Sequence, residues 1–97
     1  MFRLFFFLSF FLLPCLSFAQ KITGVVVNQL SQEPLGFAHV FLNNFSKGTN
    51  TDAQGRFELS GLQAGNYDLI VSHVGYETFA QTVKVNGDLH LKIELIS

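Results

Sequence analysis

Leu-His-Leu-Lys-Ile-Glu-Leu, residues 89–95, alternates apolar and polar side chains without a break. Because successive side chains of a β-strand point to opposite faces, this pattern predicts a strand with one buried and one solvated face. Shorter runs of the same kind recur from residue 20 onward, separated by turn residues roughly every eight to twelve positions. No segment has a convincing helical periodicity, so the sequence predicts an all-β domain.

Together with that strand, the shorter alternating runs predict seven strands in an antiparallel β-sandwich. In the last strand the leucines and the isoleucine face inward. In the second strand, periodicity alone does not decide which set of side chains faces the core. Asn86-Gly87 predicts a hairpin between the last two strands. The predicted strands are Ile22–Asn28, Phe37–Asn43, a short segment around Gly48 and Thr49, Arg56–Ser60, Tyr67 to about His73, Tyr76–Val85, and the final strand from Leu89.

Length and charge limit the classes of function. The chain has 97 residues, which suits one domain with one modest core. Its net charge is −1, and its few basic residues are scattered singly. A nucleic-acid partner would need a continuous basic surface, so none is predicted.

The first nineteen residues predict a secretory signal peptide. Arg3 provides the positive charge, Leu4–Leu13 the apolar segment, and Ser17-Phe18-Ala19 the small residues before a cleavage site. The predicted organisation is therefore a signal peptide at 1–19 and one domain at 20–97. We expect the mature domain to be exported to the periplasm, the outer membrane or the extracellular space.

Cys15, the one cysteine of the chain, leaves a second route open. Lipid attachment there would hold the protein on a membrane, and this is the one case in which a membrane partner is expected. Pro14 stands where a lipoprotein signal has a small residue, which favours ordinary cleavage. The predicted mature chain then contains no cysteine, so its fold depends on packing without disulfides.

Four short motifs follow one another along residues 21–95 in an order that resembles the carboxypeptidase regulatory-like domain, a transthyretin-like (prealbumin-like) β-sandwich. The resemblance implies a non-catalytic module that packs against a larger neighbour. Similar modules adjoin some metallocarboxypeptidases and form the N-terminus of bacterial TonB-dependent outer-membrane receptors. Asn28 stands where the family commonly has Asp, and Phe37 where it commonly has Gly. The motifs are Gly24-Val25-Val26, EPLGFAHV at 33–40, TNTDAQGRF at 49–57, and GNYDL at 65–69 continuing to VGYE at 74–77.

Catalytic and metal chemistry has little support in the sequence. His39, His73 and His90 are too far apart for the short spacing of a zinc peptidase. Asp52 alone cannot supply the oxygens of a calcium loop, so residues 51–55 are interpreted as a turn. No nucleophile with a matching base is evident. We therefore predict no enzyme activity, no catalytic residue, no metal and no cofactor.

The remaining indication of function is a set of aromatic residues on the second strand. If Ala38, Val40 and Leu42 face the core, Phe37, His39 and Phe41 face outward; either a neighbouring loop covers them, which is the ordinary expectation, or they form a candidate contact surface. A protein partner in the cell envelope is favoured, since carbohydrate-binding surfaces prefer tryptophan and the chain has none. The alternatives are a small carbohydrate-binding domain and the truncated N-terminal domain of a TonB-dependent receptor.

Overall fold

The computed structural model describes residues 19–43 and 45–97, which form seven β-strands and no helix. Within these residues no helix is long and apolar enough to span a membrane. The predicted signal peptide falls on residues 1–18, outside the described part, and on Ala19. The strands are β1 Gln20–Asn28, β2 His39–Leu42, β3 Lys47–Asn50, β4 Arg56–Leu62, β5 Gly65–Ser72, β6 Phe79–Val85 and β7 Leu89–Leu95.

Two sheets pack face to face, which confirms the predicted sandwich. One sheet has the order β4-β1-β7 and the other β3-β2-β5-β6. All neighbouring strands are antiparallel except β1 and β7, which are parallel. Since β6 and β7 lie in different sheets, the predicted hairpin at Asn86-Gly87 is wrong, and these residues carry the chain from one sheet to the other.

The core lies between the sheets and is made by alternate residues of each strand. In β2 the buried set is Val40 and Leu42, with Ala38 just before the strand, which resolves the ambiguity of the sequence pattern. Burying each large aliphatic side chain contributes about 1.5–3 kcal/mol, so this layer supplies the stability of a chain without disulfides. The largest fully buried apolar side chains are Ile22, Leu42, Leu62, Leu69, Ile93 and Leu95.

A β-bulge in β4 explains why that strand extends beyond its predicted end. Gln20 pairs with Leu62, and Ile22 pairs with Leu59. Between these two pairs β1 advances by two residues and β4 by three, so β4 contains one extra residue. Gly61 lies in the bulge with φ of 72°, a conformation that glycine adopts without a steric penalty. The extra residue restores the inward direction of Leu62, which is fully buried. The gap left between the predicted strands Arg56–Ser60 and Tyr67–His73 is therefore reduced to residues 63 and 64.

Candidate functional site

An apolar row crosses the outer face of the four-stranded sheet. Phe41 faces outward from β2 because its neighbours Val40 and Leu42 are buried. Strand register places Phe41 opposite both Gly48 on β3 and Ile70 on β5, and places Ile70 opposite Ala80 on β6. These four residues, Gly48, Phe41, Ile70 and Ala80, are called the apolar row below.

Gly48 leaves room for Phe41 beside it, because it has no side chain. A Cβ atom at Gly48 would lie 3.2 Å from the Cβ of Phe41, so a side chain there would crowd the aromatic residue. Phe41 itself is half-buried.

Polar residues flank the apolar row on both sides. Towards one end of the sheet, His39 Nδ1 lies 3.1 Å from Asn50 Oδ1, and the ring centroids of His39 and Phe41 are 5.0 Å apart. Towards the other end, Thr82 Oγ1 donates a 2.9 Å hydrogen bond to Asp68 Oδ1. A hollow of about 230 Å³ adjoins the row there and is lined by Asn43, Asp68, Ile70, Ala80, Gln81 and Thr82.

Phe37 does not share this face with the other two predicted contact residues. It precedes β2 with φ of 61°, and its backbone N–H donates to the Thr51 carbonyl oxygen at 3.0 Å. The left-handed backbone breaks the alternation of the strand, and β2 begins only at His39. The side chain is 79% exposed. The structure therefore brings His39 and Phe41 together and places Phe37 on the loop before them.

A buried threonine holds the backbone around Phe37. Thr51 is 2% exposed, and its hydroxyl donates to the Leu35 carbonyl at 2.7 Å and accepts the Ala38 N–H at 2.8 Å. Both hydrogen-bonding roles of the hydroxyl are thus used inside the protein. Sequence reasoning missed this residue, because a threonine beside a polar turn gives no sign that it is buried.

The predicted turn at residues 51–55 is confirmed and is organised by Asp52. Asp52 Oδ1 accepts the backbone N–H groups of Gln54 and Arg56, both at 2.9 Å. The backbone N–H of Arg56 is the main cause that lowers the pKa of the Asp52 carboxyl below its ordinary value of 3.8. The Gln54 N–H and the Arg56 guanidinium lower it further, and desolvation opposes them. The carboxylate works as a turn-forming acceptor.

The three histidines make separate hydrogen bonds, His39 with Asn50, His73 with the Gly36 carbonyl and His90 with Thr23. His73 follows β5, and His90 lies on β7, where its Nδ1 is 3.0 Å from Thr23 Oγ1. In the described part of the chain no three His, Cys, Asp or Glu residues gather as a metal site.

A wider depression of about 540 Å³ includes Thr23, Arg56, Glu58 and His90. Its polar groups pair with one another or with nearby residues, as in the 3.9 Å contact between Glu58 and Lys21.

Comparison with known families agrees with the fold. Residues 22–97 match the model of the CarboxypepD_reg-like domain. The chain belongs to this family. Phe37, which the sequence leads us to expect in place of a family glycine, occupies a left-handed position that glycine adopts without strain.

Solved structures show the same sandwich in larger proteins. Two similar chains come from type II cohesin-X-dockerin complexes of Acetivibrio cellulolyticus, the interface mutants M2 and M1. They have TM-scores of 0.68 and 0.65, with 19% and 22% identity over 79% of this chain and 56% of theirs. A group B streptococcus pilus 2b backbone protein has a TM-score of 0.64 and 18% identity over 78% of this chain and 40% of its own. No curated protein sequence is significantly similar to the chain.

These neighbours establish the fold alone, because their sequence identities are low. The CarboxypepD_reg-like domain spans little more than half of the cohesin-dockerin chains and two fifths of the pilus chain. The same sandwich therefore occurs as one part of larger assemblies.

Proposed function

We propose that this domain is an exported, non-enzymatic module that binds another protein through the apolar row. The observation that supports the proposal is the row itself, which crosses all four strands and whose residues are exposed at Gly48 and Ala80 and half-buried at Phe41 and Ile70. A sheet face exposed in this way is a surface that a partner can cover. The similar solved structures, a cohesin-X-dockerin complex and a pilus backbone protein, are consistent with a domain that functions by binding other proteins.

The chemistry of the flanks suggests the kind of partner. In the two rows beside the apolar row, Asn50, His39 and Ser72 lie on one side and Thr82 and Asp68 on the other. Asp68 is the one acidic residue in these rows and already accepts a hydrogen bond from Thr82. A partner surface that is apolar and largely uncharged fits this face, because neither side then has to bury an unpaired charge.

The absence of enzyme activity is part of the proposal. Among the described residues the Thr23 hydroxyl lies 3.0 Å from His90 Nδ1, but no carboxylate is hydrogen-bonded to that ring, and no three His, Cys, Asp or Glu residues form a metal site. Export rests on the predicted signal peptide. The family suggests a role beside a TonB-dependent receptor or, alternatively, that the chain is the N-terminal piece of one. Sequencing the DNA downstream of the Ser97 codon separates these two, since a truncated receptor requires an in-frame continuation.

Crosslinking in the producing cells tests the proposed surface. A photoreactive benzophenone residue at Thr82, beside the row, should form an adduct with one envelope protein. Ala80→Arg should abolish that adduct by placing a charge on the row. The control Ala64→Arg, at another exposed alanine in the β4–β5 turn, should leave the adduct unchanged. No adduct, or an adduct that persists in Ala80→Arg, would overturn the proposal.

Carbohydrate binding is the second candidate, supported by the ring pair of His39 and Phe41. The pair stands next to Asn50, and the adjoining hollow offers further amide and hydroxyl groups that can bond to a sugar. Titration with a panel of soluble oligosaccharides at millimolar concentration checks it. Chemical shift changes at the row would support this function, and an unchanged spectrum with every sugar would remove it.

A further inference from the structure

The strand directions place four segments at one end of the sandwich. Strands β1, β3, β5 and β7 finish at that end, and β2, β4 and β6 begin there, as the strand registers show. The loops at residues 29–38, 51–55 and 73–78 therefore lie together with residues 96–97. Because exposed hydrophobic side chains lie on it, this group of segments is called the apolar end below.

Four large hydrophobic side chains project into solvent from these segments. Leu30 is 89% exposed, Phe37 79%, Val74 94% and Ile96 47%. Among the described residues one other large hydrophobic side chain is exposed, that of Phe45, which lies at the opposite end between β2 and β3. Single exposed hydrophobics are ordinary on protein surfaces, but their collection at one end is not.

Hydrogen bonds between the loops fix this end. Asn28 donates from Nδ2 to the Tyr76 hydroxyl at 3.0 Å, and its Oδ1 accepts the Leu30 N–H at 2.8 Å. The backbone N–H of Glu77 donates to the Ile96 carbonyl at 2.7 Å. Leu30 and Ile96 are thus attached to the same framework.

The His73 ring makes the corresponding link for the other two side chains. Its Nε2 lies 3.0 Å from the Gly36 carbonyl, next to Phe37, and its Nδ1 lies 3.0 Å from the Val74 carbonyl. The ring also meets Tyr76 edge to face, with centroids 5.3 Å apart. The exposed side chains are therefore held outward on connected loops, and a partner that binds them meets a preorganised surface.

The charges of the apolar end have one sign. Its segments contain Glu33, Asp52 and Glu77 and neither lysine nor arginine. The nearest basic residue, Arg56 at the start of β4, is held 3.5 Å from Asp52 by an ion pair. The exposed hydrophobics are thus accompanied by acidic groups.

We propose that the apolar end is a docking surface for a protein whose own apolar patch is bordered by lysine or arginine side chains. It is a second surface, separate from the apolar row, and it rests on the proposed function only in that both act by contact. Charge complementarity selects this occupant. A second copy of the chain would bring like charges together, and an anionic membrane would be repelled by the three acids.

Site-specific crosslinking of the full chain in its producing cells tests this surface. A benzophenone residue at Val74 should form a protein adduct, and one at Ser46, at the opposite end, should not. Leu30→Ser combined with Phe37→Ser should lower the Val74 adduct about tenfold, since a few central apolar residues carry most of the affinity of an interface. Glu33→Lys with Glu77→Lys should lower it similarly. The matched pair Gln63→Lys with Ala64→Lys, which adds two positive charges at the opposite end, should have no effect.

Each other outcome rejects the inference. If the Val74 adduct persists in Glu33→Lys with Glu77→Lys, the partner does not have a border of lysine or arginine side chains. If Val74 forms no adduct, no protein docks at this end. Sedimentation of the purified protein with phosphatidylglycerol vesicles, lost in Leu30→Ser with Phe37→Ser, would assign the surface to lipid instead. An adduct from Thr82 without one from Val74 would leave the proposed function standing while this inference fails, and an adduct from neither position would reject both.

Discussion

Phe37 combines a left-handed backbone with an exposed aromatic side chain. For a residue with a Cβ atom that backbone conformation costs about 1–2 kcal/mol, and here the exposed ring gains little burial in return. Strain of this kind persists where the surroundings enforce it, and it concentrates at sites of function. The bonds from Thr51 to Phe37 and Ala38 provide the enforcement. The strained residue Phe37 therefore lies within the apolar end, the surface proposed to bind a partner.

Phe37→Gly should stabilise the domain while weakening the apolar end. Removing the Cβ relieves the strain, and after the entropy cost of glycine the expected gain is about 0.5–1 kcal/mol. Urea denaturation followed by circular dichroism measures it. Phe37→Ala keeps the Cβ and should remain within about 0.5 kcal/mol of the native protein. Equal stability of the two variants would contradict the strain.

Thr51→Val should destabilise the domain by about 2–4 kcal/mol. Valine has the same shape but leaves the Ala38 N–H and the Leu35 carbonyl buried without their partner, at about 1–3 kcal/mol each. Thr51→Ser keeps the hydroxyl and should cost about 1 kcal/mol through the lost methyl group. Comparing denaturation midpoints checks the order. A serine variant as unstable as the valine variant would show that packing, and not hydrogen bonding, is what matters.

At the scale of elements, the turn at residues 51–55 joins the two sheets. It connects β3 of the four-stranded sheet to β4 of the three-stranded sheet, and the Gly55 carbonyl accepts the Val26 N–H of β1 at 2.8 Å. Thr51, on its other side, holds the loop before β2. The turn therefore contributes to the register of both sheets, although its charged group lies in solvent.

Asp52→Asn should lower stability at neutral pH and not in acid. Because the pKa of Asp52 is lowered in the folded state, its ionised form adds stability above the ordinary value of 3.8, and this is lost as pH falls through the folded pKa. Asparagine imitates the protonated carboxyl. The difference in unfolding free energy between the two proteins should therefore shrink from pH 7 to about pH 3. A constant difference would refute this role of the carboxylate.

Strand β1 depends on Gly24, where the core leaves no space for a side chain. A Cβ there would collide with the Leu91 carbonyl oxygen and lie 2.8 Å from two ring atoms of Phe57. Gly24→Ala should cost about 1–3 kcal/mol or more, because backbone cannot yield as a side chain does. Gly65→Ala is the matched control, since its Cβ would have one neighbour, a Tyr67 ring atom at 4.0 Å. Thermal denaturation should separate the two variants, and equal losses would contradict the argument.

At the scale of the whole molecule, the two proposed surfaces differ in charge. The apolar row is flanked mostly by uncharged residues, whereas the apolar end carries Glu33, Asp52 and Glu77. One small domain can therefore contact two partners, or two parts of one partner, of different chemistry. Crosslinks from Thr82 and Val74 to the same protein or to different proteins distinguish these arrangements.

Processing of the leader is a further property of the whole chain. We expect the exported protein to begin at Gln20, because small residues precede the predicted cleavage site. Intact-mass spectrometry of protein from the envelope measures the mass directly. A mass corresponding to a lipidated Cys15 would contradict cleavage before Gln20 and would place the domain on a membrane surface.

The sequence by itself predicted the fold class, the seven strands and the turn at Asp52, because alternation and turn residues act locally. The family was predicted from the resemblance of four ordered motifs. The sequence did not decide whether Phe41 faces outward, because both sets of alternating side chains in the second strand are largely apolar. It could not predict the parallel pairing of β1 with β7, and it wrongly predicted a hairpin at Asn86-Gly87. Which sheet a strand joins depends on packing between distant segments.

Only the tertiary structure decided which exposed residues lie together. Phe41, Ile70 and Ala80 are far apart in the chain and become neighbours through strand register. Likewise Leu30 and Val74, which no local pattern connects, lie at the same end of the sandwich because the strand directions bring their loops there. Alternation along a strand determines which side chains share a face, and long-range pairing determines which face is buried and what lies beside each residue.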